Sequence, residues 1–163
     1  MARVYIGLGS NLNAPIDQVE QAITALNTIE HTQLVKRSSL YGSKPMGPQD
    51  QPDYVNAVVA LETSLTPIAL LDALQAIELA FGRERIKGNR WGARVLDLDI
   101  LLIDNLIINS ERLVVPHYGM CEREFVLLPL AEIAPDLILP DGSKLQTFSD
   151  KIERNGLTIL SSN

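Results

Sequence analysis

Cysteine is almost missing from this chain of 163 residues: Cys121 is the only one. It cannot form an internal disulfide, which fits a reducing, cytoplasmic compartment. No CxxC or similar signature supports a nucleophile there, and the residue reads as half-buried packing. No run of 18 apolar residues occurs, so no membrane span is expected. The opening MARVYIGLGSNL has no long apolar segment behind a basic region and does not resemble a secretory signal. Positive charge is scarce as well: 14 Lys and Arg stand against 20 Asp and Glu, a formal net charge of -6. That balance argues against a general nucleic-acid surface. The phosphate loop GxxxxGK[ST] is absent, and GLGSNL at 7–12 has Leu12 where a dinucleotide fingerprint needs its last glycine. Neither HxxH nor HxH is found, so a histidine-based zinc site is not expected. No internal repeat or break in composition divides the chain, which reads as one domain over residues 1–163.

What is present is enough apolar surface for a core, at 46% hydrophobic residues. RVYIGLG at 3–9 reads as a strand, with Val4, Ile6 and Leu8 opposite Arg3, Tyr5 and Gly7. A helix over 15–28 would bury Ile16, Val19, Ile23 and Leu26. A strand follows at 32–41. Then comes GSKPMGPQDQPD, 12 residues with three prolines and two glycines. It can continue neither helix nor strand, and long loops of this kind often serve as lids. YVNAVVALET at 54–63 alternates as a strand. Thr66 and Pro67 start a second helix, with Leu71, Leu74, Ile77 and Phe81 as its stripe and Gly82 as its stop. A strand at 94–103 and a hairpin from NLIINS and RLVVPHY come next. CEREFVLLPLAEIAP reads as a short helix, an apolar extended piece and a turn. PDG at 140–142 marks another turn. The order implies an α+β sandwich with helices on one side of a mainly antiparallel sheet.

RVLDLDILLI at 94–103 sets two carboxylates in an apolar run. With period two, Asp97 and Asp99 share a face, their Cα atoms about 6.6 Å apart, flanked by Val95 and Leu101. Leu96, Leu98, Ile100 and Leu102 face the other way. Two ionised acids so close need something positive between them. One answer is a hard divalent ion completed by phosphate oxygens, or two ions bridging both acids. The other is pairing with Arg90 or Arg94. Residues 83–94 carry Arg83, Arg85, Lys87, Arg90 and Arg94 against Glu84 alone, a local excess suited to a small polyanion or to a solvated loop. Forked arginines can hold phosphoryl oxygens and steady charge on a moving group. A glycosidase pair would also sit at such a separation, but the arginines would keep both acids ionised where one must be protonated. Glu78 is open between orienting an arginine, binding an organic substrate and simple solvation. Asn56 could read the edge of a flat ring stacked on Tyr54 or Phe125, although all three could equally be structural. Trp91 fits lid packing. His117 could meet a nucleotide or phosphate, and His31 looks like ordinary surface.

Four blocks carry a wider likeness: GSNL at 9–12, GPQDQPDYVNAV at 47–58, RWGARVLDLDILL at 90–102 and VPHYGMCEREFVLLPLAEIAP at 115–135. In this order they resemble the 6-hydroxymethyl-7,8-dihydropterin pyrophosphokinase family of folate biosynthesis, and they cover nearly the whole chain. The resemblance implies a ferredoxin-like α+β fold and transfer of pyrophosphate from ATP to the pterin hydroxymethyl oxygen. It gives Asp97 and Asp99 two Mg2+ ions, and Arg83 and Arg94 the phosphates. Arg85, Arg90 and Trp91 fall in the closing loop. His117 and Tyr118 would hold ATP, with Arg112 contributing, and Arg123 would lie near the transferred group. The pterin would sit between Tyr54 and Phe125, bonded to Asn56 and to backbone near Ser43 and Met46. The implied partners are ATP and the pterin alone, without nucleic acid or membrane, and the implied state is a monomer. Gly42, Lys44 and Ala93 depart from residues frequent in the family, and these departures bear on loop closure.

Overall fold

The structure is a computed structural model, and it describes residues 1–11, 14–43, 54–82, 96–152 and 157–161. The elements run β1 (Ala2–Ser10), α1 (Pro15–Leu26), β2 (Thr32–Arg37), β3 (Leu40–Ser43), β4 (Tyr54–Thr63), α2 (Pro67–Ala80) and β5 (Asp97–Ile103). Then follow β6 (Ile108–Asn109), β7 (Val114–Val115), α3 (Glu124–Ile133), α4 (Leu145–Lys151) and β8 (Thr158–Ser161). Strand order in the main sheet is β5-β1-β4-β3-β8, with β2 also paired to β4, and every pairing is antiparallel. With β2 and β3 counted as one interrupted strand, the first part runs strand–helix–strand–strand–helix–strand, the ferredoxin-like order expected from the sequence.

β1 and β4 are central, and their alternation sends apolar residues to two separate cores. Val4, Ile6, Leu8, Val55, Ala57, Val59 and Leu61 meet Val19, Ile23 and Leu26 of α1 and Leu70 and Leu74 of α2. Tyr5, Val58 and Ala60 face the other way, against Leu127, Leu130 and Ile133 of α3 and Leu145 of α4. Helices therefore cover both faces. The one-sided arrangement expected above holds for α1 and α2 only, because the C-terminal third supplies a second cover.

Local chemistry explains the ends of the elements. Thr66 caps α2 through Ala69 N, 3.2 Å from its Oγ1, and Gly82 ends the helix at φ 90°. The buried stripe of α2 is Leu70, Leu74 and Glu78. Of the expected stripe, Leu74 is buried, while Leu71, Ile77 and Phe81 flank it, half-buried against the same core. Ile16 is 46% exposed and lies off the buried face of α1. The expected strand at 32–41 is two strands. Between them Ser38 N donates to Val58 O, and Val58 N donates to Ser38 Oγ, each at 2.9 Å. A hydroxyl takes over a ladder position and the strand breaks there.

CEREFVLLPLAEIAP holds one continuous helix at Glu124–Ile133, not a helix followed by an extended piece. Pro129 removes one helical hydrogen bond, yet Leu127, Pro129, Leu130 and Ile133 are all buried. Packing on the second core outweighs the local penalty. β5 also departs from simple alternation. Its register against β1 shifts between Tyr5 and Ile6, which pair with Leu102 and Ile100, so Leu101 is an extra residue. Leu101 and Leu102 consequently both face the second core, and Leu102 does not follow Leu98 and Ile100.

Candidate active site

One row of residues crosses four strands. Asp97 on β5 pairs with Gly9 on β1, Gly9 with Asn56 on β4, and Asn56 with Tyr41 on β3. A neighbouring row sets Asp99 beside Gly7 and Gly7 beside Val58. These residues lie on the face of the second core. The glycines leave the floor low between the acids and Asn56. At Gly9 an added Cβ would lie 3.2 Å from Asn56 Oδ1, so the carboxamide leans over this position. Asn56 is 4% exposed, whereas Asp97 is half-buried and Asp99 exposed. The row thus runs from accessible carboxylates to a buried carboxamide, a span of about 10 Å over two strand spacings.

β5 is fastened from outside. Glu78 of α2, 5% exposed, accepts Leu98 N at 2.9 Å. That amide lies between the two aspartates on the edge of the sheet. Glu78 is therefore a buried acceptor that fixes the strand carrying them, not a solvated helix residue.

A second group gathers beside Asp99. His117 N donates to Leu101 O at 3.0 Å, so the extra residue of β5 fixes the histidine backbone. Gly119 N donates to His117 Nδ1 at 3.1 Å. With Nδ1 accepting, the neutral ring carries its proton on Nε2. Burial lowers the His117 pKa, the Asp99 carboxylate pulls it up, and Arg123 pushes it down. Tyr118, 76% exposed, stacks on His117 with ring centres 4.7 Å apart and planes at 19°. The Arg123 guanidinium lies 5.5 Å from the Tyr118 ring centre and 6.0 Å from that of Phe125. An added Cβ at Gly119 would meet Arg123 Nε at 2.8 Å, so the glycine leaves room for this cation.

The structure thus unites Asp97, Asp99 and Asn56 through the sheet, and His117, Tyr118, Arg123 and Phe125 through the segment after β7. Tyr54 begins β4, two residues before Asn56 on the same face. The backbone of Ser43 pairs with Tyr54. Arg112 is held at α2 by Asp72 Oδ1 at 2.7 Å and Gln75 Oε1 at 3.2 Å. Met46, Arg83, Arg85, Arg90, Trp91 and Arg94 lie outside the described residues, as do Lys44 and Ala93. The sequence marks Gly7 and Gly9, near the end of β1, as small residues that permit close backbone approach, but it does not mark Gly119 or Tyr41. The register opposite Asn56, legible once β3 is placed, is the signal for Tyr41.

Among the described residues no three His, Cys, Asp or Glu side chains gather into a metal cage. Two carboxylates on an accessible face suit magnesium, which keeps waters and takes phosphate oxygens to complete its shell. A cleft of about 660 Å³ lies elsewhere, toward β2, lined by Leu34, Val35, Lys36, Arg37, Glu132, Ile133 and Pro135. No helix among the described residues is long and apolar enough to cross a membrane.

The fold defines the class first, a ferredoxin-like α+β sandwich with an antiparallel sheet and packed helices. Residues 5–135 match the family described as 7,8-dihydro-6-hydroxymethylpterin-pyrophosphokinase (HPPK), and the chain belongs to this family. It is 58% identical over 142 residues to the 2-amino-4-hydroxy-6-hydroxymethyldihydropteridine pyrophosphokinase of Haemophilus influenzae, covering 87% of this chain and 88% of that one. To the enzyme of the same name from Pseudomonas aeruginosa it is 55% identical over 143 residues, covering 88% and 87%. Among solved structures, Plasmodium falciparum HPPK-DHPS wild type with pteroate shares the fold at a TM-score of 0.71 and 13% identity. That match covers 92% of this chain and 42% of the Plasmodium chain, so this chain spans less than half its length. Family membership makes the protein a pyrophosphokinase acting on a pterin, and it implies ATP and Mg2+.

Proposed function

We propose that the protein transfers the pyrophosphoryl group of ATP to 6-hydroxymethyl-7,8-dihydropterin, giving AMP and the pterin diphosphate. The observation that carries this reading is the Asp97–Gly9–Asn56 row, with accessible acids at one end and a buried carboxamide at the other. A polyphosphate suits the first end and a flat, hydrogen-bonding ring the second. Tyr54 and Phe125 would enclose the ring, with backbone near Ser43 and Met46 completing its edge. His117, Tyr118 and Arg112 would hold the nucleotide. Arg85, Arg90 and Trp91 would close over it.

The pterin hydroxyl oxygen would attack the β-phosphorus in line as the bond from that phosphorus to the α-phosphate oxygen breaks. AMP keeps the bridging oxygen. Arg83, Arg94 and Arg123 would steady the charge on the moving group, so alignment and electrostatics provide most of the acceleration. Magnesium held by Asp97 and Asp99 would supply charge neutralisation at the phosphates. With Nδ1 occupied by Gly119 N, His117 offers a donor at Nε2, which suits it to holding an oxygen and not to removing the hydroxyl proton. We further propose that residues 1–163 act as one domain, as a monomer, in the cytoplasm, where a lone Cys121 stays reduced.

Incubation with ATP, magnesium and the pterin tests the reading. AMP and pterin diphosphate should form in equal amounts. Stoichiometric free pyrophosphate would mark a nucleotidyl transfer and overturn it, and no AMP from well-folded protein would leave a nucleotide-binding module.

A further inference from the structure

One carboxylate ties the end of α3 to the start of β3, the strand that lies across from Asn56. Glu132, near the end of α3, accepts four hydrogen-bond contacts from the sheet. Ser39 N donates to Oε1 at 3.0 Å and to Oε2 at 3.1 Å, Ser39 Oγ donates to Oε2 at 2.9 Å, and Tyr41 OH donates to Oε1 at 2.6 Å. Ser39 is 6% exposed and Tyr41 8%. Tyr41 stands directly across from Asn56, and β3 runs on from it to Ser43, whose backbone pairs with Tyr54. At its other end, the same helix presents Phe125, with Arg123 as its N-cap.

Helix packing alone does not need this arrangement. Leu127, Leu130 and Ile133 already seat α3 on the second core. The carboxylate adds direction: it fixes β3, which lies across from Asn56, relative to α3, whose first turn carries Phe125. Burial and the Glu132 charge both push the Tyr41 hydroxyl well above its usual range, so it remains a donor at working pH. Arg37, close enough to feel the Glu132 charge, is itself forked onto Glu20 at 2.8 Å.

We propose that Glu132 is a positioning residue for the pterin subsite, acting through Tyr41 and Ser39 and leaving the nucleotide subsite untouched. The proposal rests on the pterin reading above. The nucleotide side is fastened independently, by Glu78 on β5 and by Leu101 O on His117.

The test compares Glu132→Ala, Tyr41→Phe and the double variant with the unsubstituted protein. Pterin affinity, ATP affinity, both KM values and the melting temperature are measured for each. Loss of the charged acceptor should weaken pterin binding about ten-fold, with ATP binding unchanged within about two-fold. Tyr41→Phe should reproduce part of this loss, and the double variant should be no worse than Glu132→Ala, because both act through one contact. A lower melting temperature with both affinities unchanged would overturn the proposal, as would equal weakening of both substrates. If Glu132→Ala does not fold, Tyr41→Phe decides alone, since it deletes one oxygen and keeps the ring. Failure of the unsubstituted protein to bind the pterin would sink the functional reading and this one with it. Normal binding there with unselective variants sinks this one only.

Discussion

At the scale of single residues, the site depends as much on missing side chains as on present ones. Gly9 lies between Asp97 and Asn56, and a methyl group there would press on Asn56 Oδ1 at 3.2 Å. Gly9→Ala should raise the pterin KM by about five-fold, on the order of 1 kcal/mol of overpacking, with the ATP KM preserved. Steady-state kinetics varying each substrate in turn would show it, and an unchanged pterin KM would remove Asn56 from ring recognition. The acids should behave differently. Asp97→Ala and Asp99→Ala should each lower kcat by about 10²-fold or more, by the scale of lost electrostatic stabilisation, with the fold intact. Circular dichroism together with magnesium-dependent turnover checks both halves of that expectation, and full activity in either variant excludes that carboxylate from the reaction.

At the scale of elements, side chains repeatedly complete what the backbone leaves unfinished. Ser38 is fully buried and serves the β4 ladder between β2 and β3. Ser38→Ala would leave Val58 N without its acceptor in the second core. A loss of about 1–3 kcal/mol in unfolding free energy is expected, readable by chemical denaturation. A change within error would mean that the chain closes the gap by another route. The sequence could not reveal this break, because TQLVKRSSLY contains no glycine or proline to mark it. It did locate β4 and the start of α2, where period two and the Thr66–Pro67 pair act within a few residues. The continuity of α3 is hidden for the opposite reason: the local cost of Pro129 is real, and only the second core explains why the helix continues through it.

Across the whole molecule, the legible part was what neighbours in sequence decide. The shared face of Asp97 and Asp99 and the position of Asn56 followed from alternation alone. The Glu132 contact to Tyr41, spanning 91 positions, did not, nor did the second layer of helices. Long-range ties also set the pH response. Glu20 of α1 and Arg37 of β2 form a forked pair at 2.8 Å, joining the first helical layer to the sheet. The hydrogen bond from Arg37 lowers the Glu20 carboxyl below its ordinary 4.5; burial opposes it, and the Arg37 charge adds a smaller lowering. A carboxyl lowered by folding stabilises the native state above its unfolded value, and that support is lost as pH falls through the folded one. Glu20→Gln should therefore cost stability at neutral pH, by less than about 1 kcal/mol because the pair is only partly buried and solvent still screens it. The difference from the unsubstituted protein should shrink below pH 4.5 and vanish in stronger acid. Melting temperatures of both proteins across that range would show it, and a gap that persists in acid would assign the loss to packing.

The extra residue in β5 also fixes how this strand can change length. Taking out a residue between Asp97 and Ile100 would turn one of the acids toward the leucines. Taking out Leu101 would turn nothing over, because Ile100 and Leu102 already oppose consecutive residues of β1. The strand therefore holds one spare unit in its reading frame, and that unit carries the carbonyl that seats His117. Shortening at this position would spare the orientation of the acids and unseat the histidine, so the frame of the strand and the mounting of His117 can be altered separately.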